Sequence, residues 1–353
     1  MKPRESLGLR KGYHSPQLDV KVRLNTNESP FLPPVEFYST LEAKLKKLEL
    51  NRYPDRGYHL VREALALAYD TVPERIFCGN GSNEVLLNLA LSYGGTGRRA
   101  VVFEPTYSLH SHIAKTVGTE VLTLQRDEQF CVSASLVDHA ESYAPDIVYL
   151  CSPNNPTGNL ESAESIAKVL MMKTEPLVVL DEAYGDFAED HLSSAIRRSE
   201  NLVRLHTFSK WFNLAGLRFG FCEGSEEVVS VLDEVVLPYH IDELKQCAIL
   251  TALELKDLFD LQGQKVKDLR CELYEGLLEV GVKAYSTDAN FILMEFVDRD
   301  PKEIWTELVK QSILVRDTSN WPHLPPSLRV TVGTADENAA FLSALEKILA
   351  RNN

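Results

Sequence analysis

The chain has no apolar run approaching the ~20 residues that span a bilayer. Its charged start, Met1-Lys2-Pro3-Arg4-Glu5, lacks the apolar core of a secretory signal, so a cytoplasmic protein is expected. It carries no H-E-x-x-H, no G-x-x-x-x-G-K-[ST] and no G-x-S-x-G. Zinc protease, P-loop and hydrolase-elbow chemistry thereby lose their main sequence support. The six cysteines, Cys78, Cys131, Cys151, Cys222, Cys247 and Cys271, form no C-x-x-C pair and no paired His pattern. Buried reduced thiols and no metal are the expectation. Positive charge is scarce: 37 Lys and Arg stand against 51 Asp and Glu, a net charge of -14. That disfavours a general binder of nucleic-acid backbones and leaves room for a local basic site holding a small anion. Internal repeats and low-complexity tracts are absent too.

What is present is an ordinary globular composition, 44% hydrophobic and 25% charged. At 353 residues the chain exceeds the usual size of one core, so two domains of unequal length are expected. Short apolar runs at 100–103, 120–124, 147–151, 177–180, 202–208 and 219–222 alternate with amphipathic stretches such as 82–92, 162–172 and 226–236. Strands alternating with helices imply a mostly parallel sheet covered on both faces, and ligands of such sheets sit beyond the carboxyl ends of the strands. After Tyr239 the pattern changes to helices at 243–254 and 263–279 and strands at 289–296 and 328–332, a smaller α+β unit. Pro16, Pro30, Pro33 and Pro34 interrupt the start, which reads as an arm. The resulting division is an arm, 1–35, packing with the small domain, a large domain, 36–240, and a small domain, 241–353.

Four suggestive residues fall at strand ends: Tyr107, Asn155, Asp181 and Lys210. The last sits in Thr207-Phe208-Ser209-Lys210-Trp211-Phe212-Asn213-Leu214-Ala215-Gly216-Leu217-Arg218. A lone lysine is ordinarily a solvated surface group. This one follows an apolar strand, a hydroxyl precedes it, and little polar surface surrounds it, conditions that lower an amine's pKa and make it nucleophilic. The arrangement fits pyridoxal phosphate, with the amine on the cofactor's aldehyde and Thr207, Ser209 and Arg218 on its phosphate. A glycine-rich turn opening a helix, Cys78-Gly79-Asn80-Gly81-Ser82-Asn83-Glu84, can also hold an anion. Glu84 occupies the third glycine position of a dinucleotide fingerprint, which speaks against hydride transfer.

The lysine segment resembles the signature of the fold-type I pyridoxal-phosphate aminotransferases. Within them the chain, from Tyr13 to Gly333, is most similar to the histidinol-phosphate aminotransferases. The resemblance implies an α/β fold with a large, mostly parallel sheet covered by helices and a smaller α+β domain. It assigns Lys210, Asp181 and Tyr184 to catalysis. Asp181, in Asp181-Glu182-Ala183-Tyr184, would keep the pyridine nitrogen protonated, and Tyr184 and Asn155 would bond the phenolic oxygen. In Ser152-Pro153-Asn154-Asn155-Pro156-Thr157-Gly158 the Pro156 bond is a candidate cis peptide. Ser82 and Asn83 would join the phosphate site and Tyr107 would stack on the ring. Tyr53, in Asn51-Arg52-Tyr53-Pro54, would reach the neighbouring subunit's cofactor phosphate in a homodimer. Arg316 and Arg329, joined by Tyr13, would hold the substrate's phosphate, and Asn155 would also face substrate. Leu237-Pro238-Tyr239-His240 looks like this subfamily as well. Trp211 and Asn213 depart from the family pattern, which puts the packing after the lysine, and the pocket, in question.

The implied activity is transamination of histidinol phosphate with 2-oxoglutarate, giving imidazole-acetol phosphate and glutamate, in histidine biosynthesis. An aromatic amino-acid aminotransferase is the nearest alternative, since an aryl ring plus an anion describes both substrates. A phosphothreonine decarboxylase is a more distant one. Small-molecule substrates and a second copy of the chain are the expected partners, with no nucleic acid and no membrane.

Overall fold

The computed structural model describes residues 16–189 and 192–350. Its strands, in chain order, are β1 (Val22–Leu24), β2 (Ile76–Gly79), β3 (Arg99–Glu104), β4 (Glu120–Gln125), β5 (Ile147–Cys151) and β6 (Leu177–Asp181). Then come β7 (Leu202–Thr207), β8 (Gly220–Glu223), β9 (Lys283–Ala284), β10 (Phe291–Glu295), β11 (Ile313–Asp317) and β12 (Ser327–Thr331). Seven of them form one sheet in the order β2-β8-β7-β6-β5-β3-β4. β3, β4, β5, β6 and β7 run parallel, and β8 lies antiparallel between β2 and β7. Every residue of β5, β6 and β7 is buried. Both faces of these strands are therefore covered, which is why their sequences read as unbroken apolar runs. On one face Tyr149, Val179 and Leu205 join helices Ser82–Tyr93 and Glu226–Val235. On the other, Val148, Leu150 and Leu180 meet helices Ala134–Ser142 and Ala163–Leu170.

Several helices start where the sequence supplies an oxygen for an otherwise unbonded N–H. Ser162, Ser225 and Asp242 accept from the backbone N–H of Ser165, Val228 and Lys245 respectively, each such cap contributing about 1 kcal/mol. The helix expected at 243–254 spans Glu243–Glu254. The one expected at 263–279 begins earlier and runs Lys256–Glu279, with Gly263 inside it rather than at its start.

The second sheet has the order β1-β11-β12-β10-β9. β1 comes from the arm and runs parallel to β11, while β11, β12, β10 and β9 pair antiparallel. Helices Lys256–Glu279, Pro301–Lys310 and Ala335–Ala350 bury its apolar residues. The expectation of six buried thiols needs correction: all six cysteines are free, but Cys131 is half-buried and Cys271 is exposed. Cys271 lies on the solvent side of the long helix, where its neighbours Arg270 and Glu272 are polar.

Candidate active site

At the carboxyl ends of β5, β6 and β7, between the large sheet and the arm, lies a cavity of about 330 Å³. Its wall brings together Ser82, Asn83, Tyr107, Asn155, Asp181, Tyr184, Thr207, Ser209, Lys210, Arg218 and Arg329, with Thr26, Asn27 and Glu28 from the arm. The size is that of an ordinary small-molecule site.

Lys210 follows β7 and is half-buried. Its Nζ donates to the carbonyl oxygens of Thr26 at 3.0 Å and Asn27 at 2.7 Å. Burial, reinforced by the positive charges of Arg329 and Arg218 and opposed by Glu28, lowers its pKa to about 7. Ammonium loses its hydration there and finds two carbonyl dipoles in exchange, so neutral amine is accessible near neutrality.

Asp181 ends β6. Its carboxylate lies 2.9 Å from Nε2 of buried His110 and accepts the Ala183 N–H at 3.0 Å. His110 stacks on Tyr149 and meets the edge of Tyr107, with ring centroids 5.5 Å away in each case. The next residue, Glu182, turns to the opposite side of the sheet and pairs with Arg204 at 2.8 Å. Arg204 also reaches Glu223 at 3.2 Å. Burial raises the pKa of Glu182, and the Arg204 charge opposes the shift.

Buried Tyr184 accepts a hydrogen bond from Asn27 Nδ2 at 2.8 Å, and burial pushes its phenol above the usual range. Buried Asn155 precedes a cis peptide to Pro156, and its side-chain oxygen accepts from Arg329. The other end of the Arg329 guanidinium donates to the Asn25 carbonyl at 3.0 Å.

A cup of donors closes one end of the cavity. Ser82 and Asn83 open the helix Ser82–Tyr93, whose N-terminus carries no side-chain cap. Thr207 and Ser209 share a hydroxyl hydrogen bond of 3.0 Å, and Arg218 lies 3.4 Å from the Ser209 hydroxyl. Gly220 makes the cup possible: a Cβ there would sit 2.3 Å from the Ser82 nitrogen. Hydroxyls, a guanidinium and an uncapped helix N-terminus are the donor set for one phosphate group. With the Asp181 carboxylate and the Lys210 amine lining the same cavity, the residues fit pyridoxal phosphate.

Other expected residues lie apart. Tyr53 is 81% exposed and stacks on Tyr239 with centroids 4.5 Å apart, outside the cavity. Arg316 is buried beside Arg329 as its cross-strand partner, 5.5 Å from the Trp321 ring, but does not form the cavity wall. Tyr13 lies outside the described residues. Trp211 and Asn213 point away from the cavity toward the helix Lys256–Glu279. Among the described residues no group of three or more His, Cys, Asp or Glu is placed to hold a metal ion.

Sequence reasoning missed His110 and the run Asn25-Thr26-Asn27-Glu28. His110 follows Tyr107 by three residues, so the turn that places Tyr107 on the wall also places His110 behind Asp181. Two of the arm's contributions are backbone carbonyls, which leave no mark on residue identity.

Residues 19–345 match the family described as aminotransferase class I and II. The chain belongs to the class I and II aminotransferases. This family works with pyridoxal phosphate, the cofactor for which the cup and lysine are suited. Among similar curated proteins, the histidinol-phosphate aminotransferase of Paenarthrobacter aurescens is 36% identical over 347 residues, covering 96% of this chain and 92% of that protein. That of Frankia casuarinae is 38% identical, covering 98% of this chain and 90% of its own length. In fold, this aminotransferase is similar to the histidinol-phosphate aminotransferase of Sinorhizobium meliloti in complex with pyridoxal-5'-phosphate, with a TM-score of 0.85 at 21% identity and coverage of 95% and 92%. A similar fold occurs in L-threonine-O-3-phosphate decarboxylase from Porphyromonas gingivalis, with a TM-score of 0.81 at 22% identity and coverage of 94% and 100%. Among the described residues no helix is long and apolar enough to cross a membrane.

Proposed function

We propose that this aminotransferase interconverts histidinol phosphate and 2-oxoglutarate with imidazole-acetol phosphate and glutamate, as a cytoplasmic step of histidine biosynthesis. The observation that carries the substrate assignment is that Arg316, itself behind the cavity wall, is the cross-strand partner of Arg329, which lines the cavity. Two guanidinium groups within one strand spacing suit a phosphate dianion, whereas an α-carboxylate needs a single fork. The names of the curated relatives support the same substrate.

In this reading Ser82, Asn83, Thr207, Ser209 and Arg218 hold the cofactor phosphate. Asp181, backed by His110, faces the pyridine nitrogen, and Asn155 and Tyr184 face the phenolic oxygen. Pyridoxal phosphate supplies the electron sink that acidifies the C–H bond beside the substrate's amine. The neutral Lys210 amine would take that proton at Nζ and hold it for return, the arm carbonyls of Thr26 and Asn27 receiving its N–H groups between transfers. Arg329, aligned by the Asn25 carbonyl and Asn155, fixes the substrate's anion and hence the angle of the breaking bond. A homodimer, with Tyr53 donating to the partner's cofactor phosphate, fits the exposure of that ring. The division into arm, large and small domains at 35 and 240 accords with the two separate sheets, β1 of the arm lying in the smaller one.

The test is a substrate comparison. Each charge-assisted contact contributes on the order of 1.5 to 3 kcal/mol, so Arg316→Ala should lower kcat/KM for histidinol phosphate by roughly ten- to a hundredfold while barely affecting phenylalanine. A parent enzyme that prefers phenylalanine, or a variant that loses both equally, favours an aromatic amino-acid aminotransferase. Release of carbon dioxide from phosphothreonine would point to the decarboxylase.

A further inference from the structure

Trp211 and Asn213, which follow Lys210 closely, have partners far along the chain. The Trp211 Nε1–H donates to Asp260 Oδ1 at 2.8 Å, and Asn213 Nδ2 donates to Gln262 Oε1 at 2.6 Å. Asp260 and Gln262 lie on the helix Lys256–Glu279, as does Gly263. A Cβ at Gly263 would stand 2.5 Å from the six-membered part of the Trp211 indole. Glycine inside a helix costs about 0.5–1 kcal/mol relative to alanine, and here its bare backbone forms the notch that receives the ring. The far edge of the indole meets Phe187, with centroids 5.0 Å apart. Trp211 packs against the core beneath the lysine loop and also against the core of the smaller sheet.

The linkage continues to the arm. Gln262 Nε2 donates to the Leu32 carbonyl at 3.0 Å. The Asn213 N–H returns to the Lys210 carbonyl at 3.3 Å, with Asn213 in the left-handed region at φ 54. The lysine loop and the arm are thus joined twice: at the Lys210 amine through Thr26 and Asn27, and behind it through Asn213, Gln262 and Leu32.

We infer that Trp211 and Asn213 are positioning residues, which key the loop bearing Lys210 into the Gly263 notch and, through Gln262, hold it in register with the arm that cradles its amine. The inference rests on the reading of Lys210 as the cofactor lysine. A loop fastened at its amine alone could swing about that contact. Fastening it through the side chains of Trp211 and Asn213 to a 24-residue helix removes that freedom. The device is complementary in shape, so it can be broken from either side and repaired by a matching change.

The test uses the cofactor-loaded enzyme with Gly263→Ala, Trp211→Phe and the double variant. The readouts are the pH midpoint of the bound cofactor's visible absorbance, kcat and KM measured separately, and thermal unfolding. Gly263→Ala pushes the indole out of its notch. It should shift the midpoint and lower kcat on the order of tenfold or more, because small misplacements of a reacting group are costly. KM should stay within about twofold, since the walls that bind substrate are untouched. The double variant, whose smaller ring no longer carries Cζ2 against the new methyl, should recover part of kcat and move the midpoint back toward that of the parent.

If both single variants keep the parent midpoint and kcat, even with a lowered Tm, or if the double variant is no better than either single, the positioning role is overturned. Should Gly263→Ala fail to fold, Trp211→Phe and Asn213→Gly, which keeps the left-handed backbone while deleting the amide, decide the matter on the same readouts. Lys210→Ala is the control. A parent-like titration in that variant would remove Lys210 as the cofactor lysine and this role with it.

Discussion

A lysine in water keeps its proton until roughly pH 10.4, so at pH 7 about one amine in 2,500 is neutral. Lys210, with a pKa of about 7, would be neutral in about half of the molecules at that pH, a gain in reactive amine of about a thousandfold. The assay is the second-order rate of pyridoxal phosphate combining with cofactor-free protein, followed by visible absorbance from about pH 5.5 to 10. Lys210→Ala accounts for reaction at other lysines. Because the neutral amine is the nucleophile, the rate should rise with pH through a midpoint near 7 and level off above it. Glu28 is exposed and favours the ammonium form, so Glu28→Gln should move the midpoint downward. An exposed pair is worth up to about 1 kcal/mol, which limits the move to about 0.7 unit. A midpoint above about 9, close to that of a free lysine, or an upward move in Glu28→Gln, would refute the argument from burial.

Asp181→Asn should retain cofactor in its donor cup yet lose several kcal/mol of transition-state stabilisation, on the order of 10²- to 10⁴-fold in kcat, because an amide cannot hold the pyridine nitrogen protonated. Near-normal turnover of the loaded variant would remove Asp181 from that role. Mixing Lys210→Ala subunits with Tyr53→Phe subunits should regenerate one intact site per hybrid dimer if Tyr53 serves the partner's site, and verified hybrids without recovered activity would count against it.

The gathering of the candidate site at the strand ends was legible because it is built from side chains of distinctive type at short spacing. Lys210 with Thr207, Ser209 and Arg218, Asp181 after an apolar strand, and Asn155 after another all announce themselves locally. The parallel order of the large sheet followed from the same runs, since strands buried on both faces have no alternation to disguise them. What escaped is non-local or lies in the backbone. His110 reads as one more residue of an amphipathic helix until Asp181, 71 positions on, is placed beside it. The amine cradle consists of carbonyl groups of Thr26 and Asn27, which any sequence would supply. Gly263 seemed a natural helix start, and the notch it makes has meaning only once Trp211 is seen against it. Arg316 and Arg329 were separable in sequence, but their adjacency is a matter of register between β11 and β12.

Asp181 and Glu182 are neighbours in sequence that serve opposite sides of the sheet, one facing the cavity and the other bonded to Arg204. Side chains alternate along an extended strand, so a one-residue slip of β6 would exchange the two carboxylates. The slipped chain would still present an acid to the cavity, but it would break the 2.9 Å contact between Asp181 and His110. Arg204 supplies further resistance, because the exchange would trade Glu182, which reaches its buried guanidinium at 2.8 Å, for the shorter side chain of Asp181. The ion pair behind the sheet thus works as a proofreading contact, ensuring that of two adjacent acids the shorter one faces the cavity.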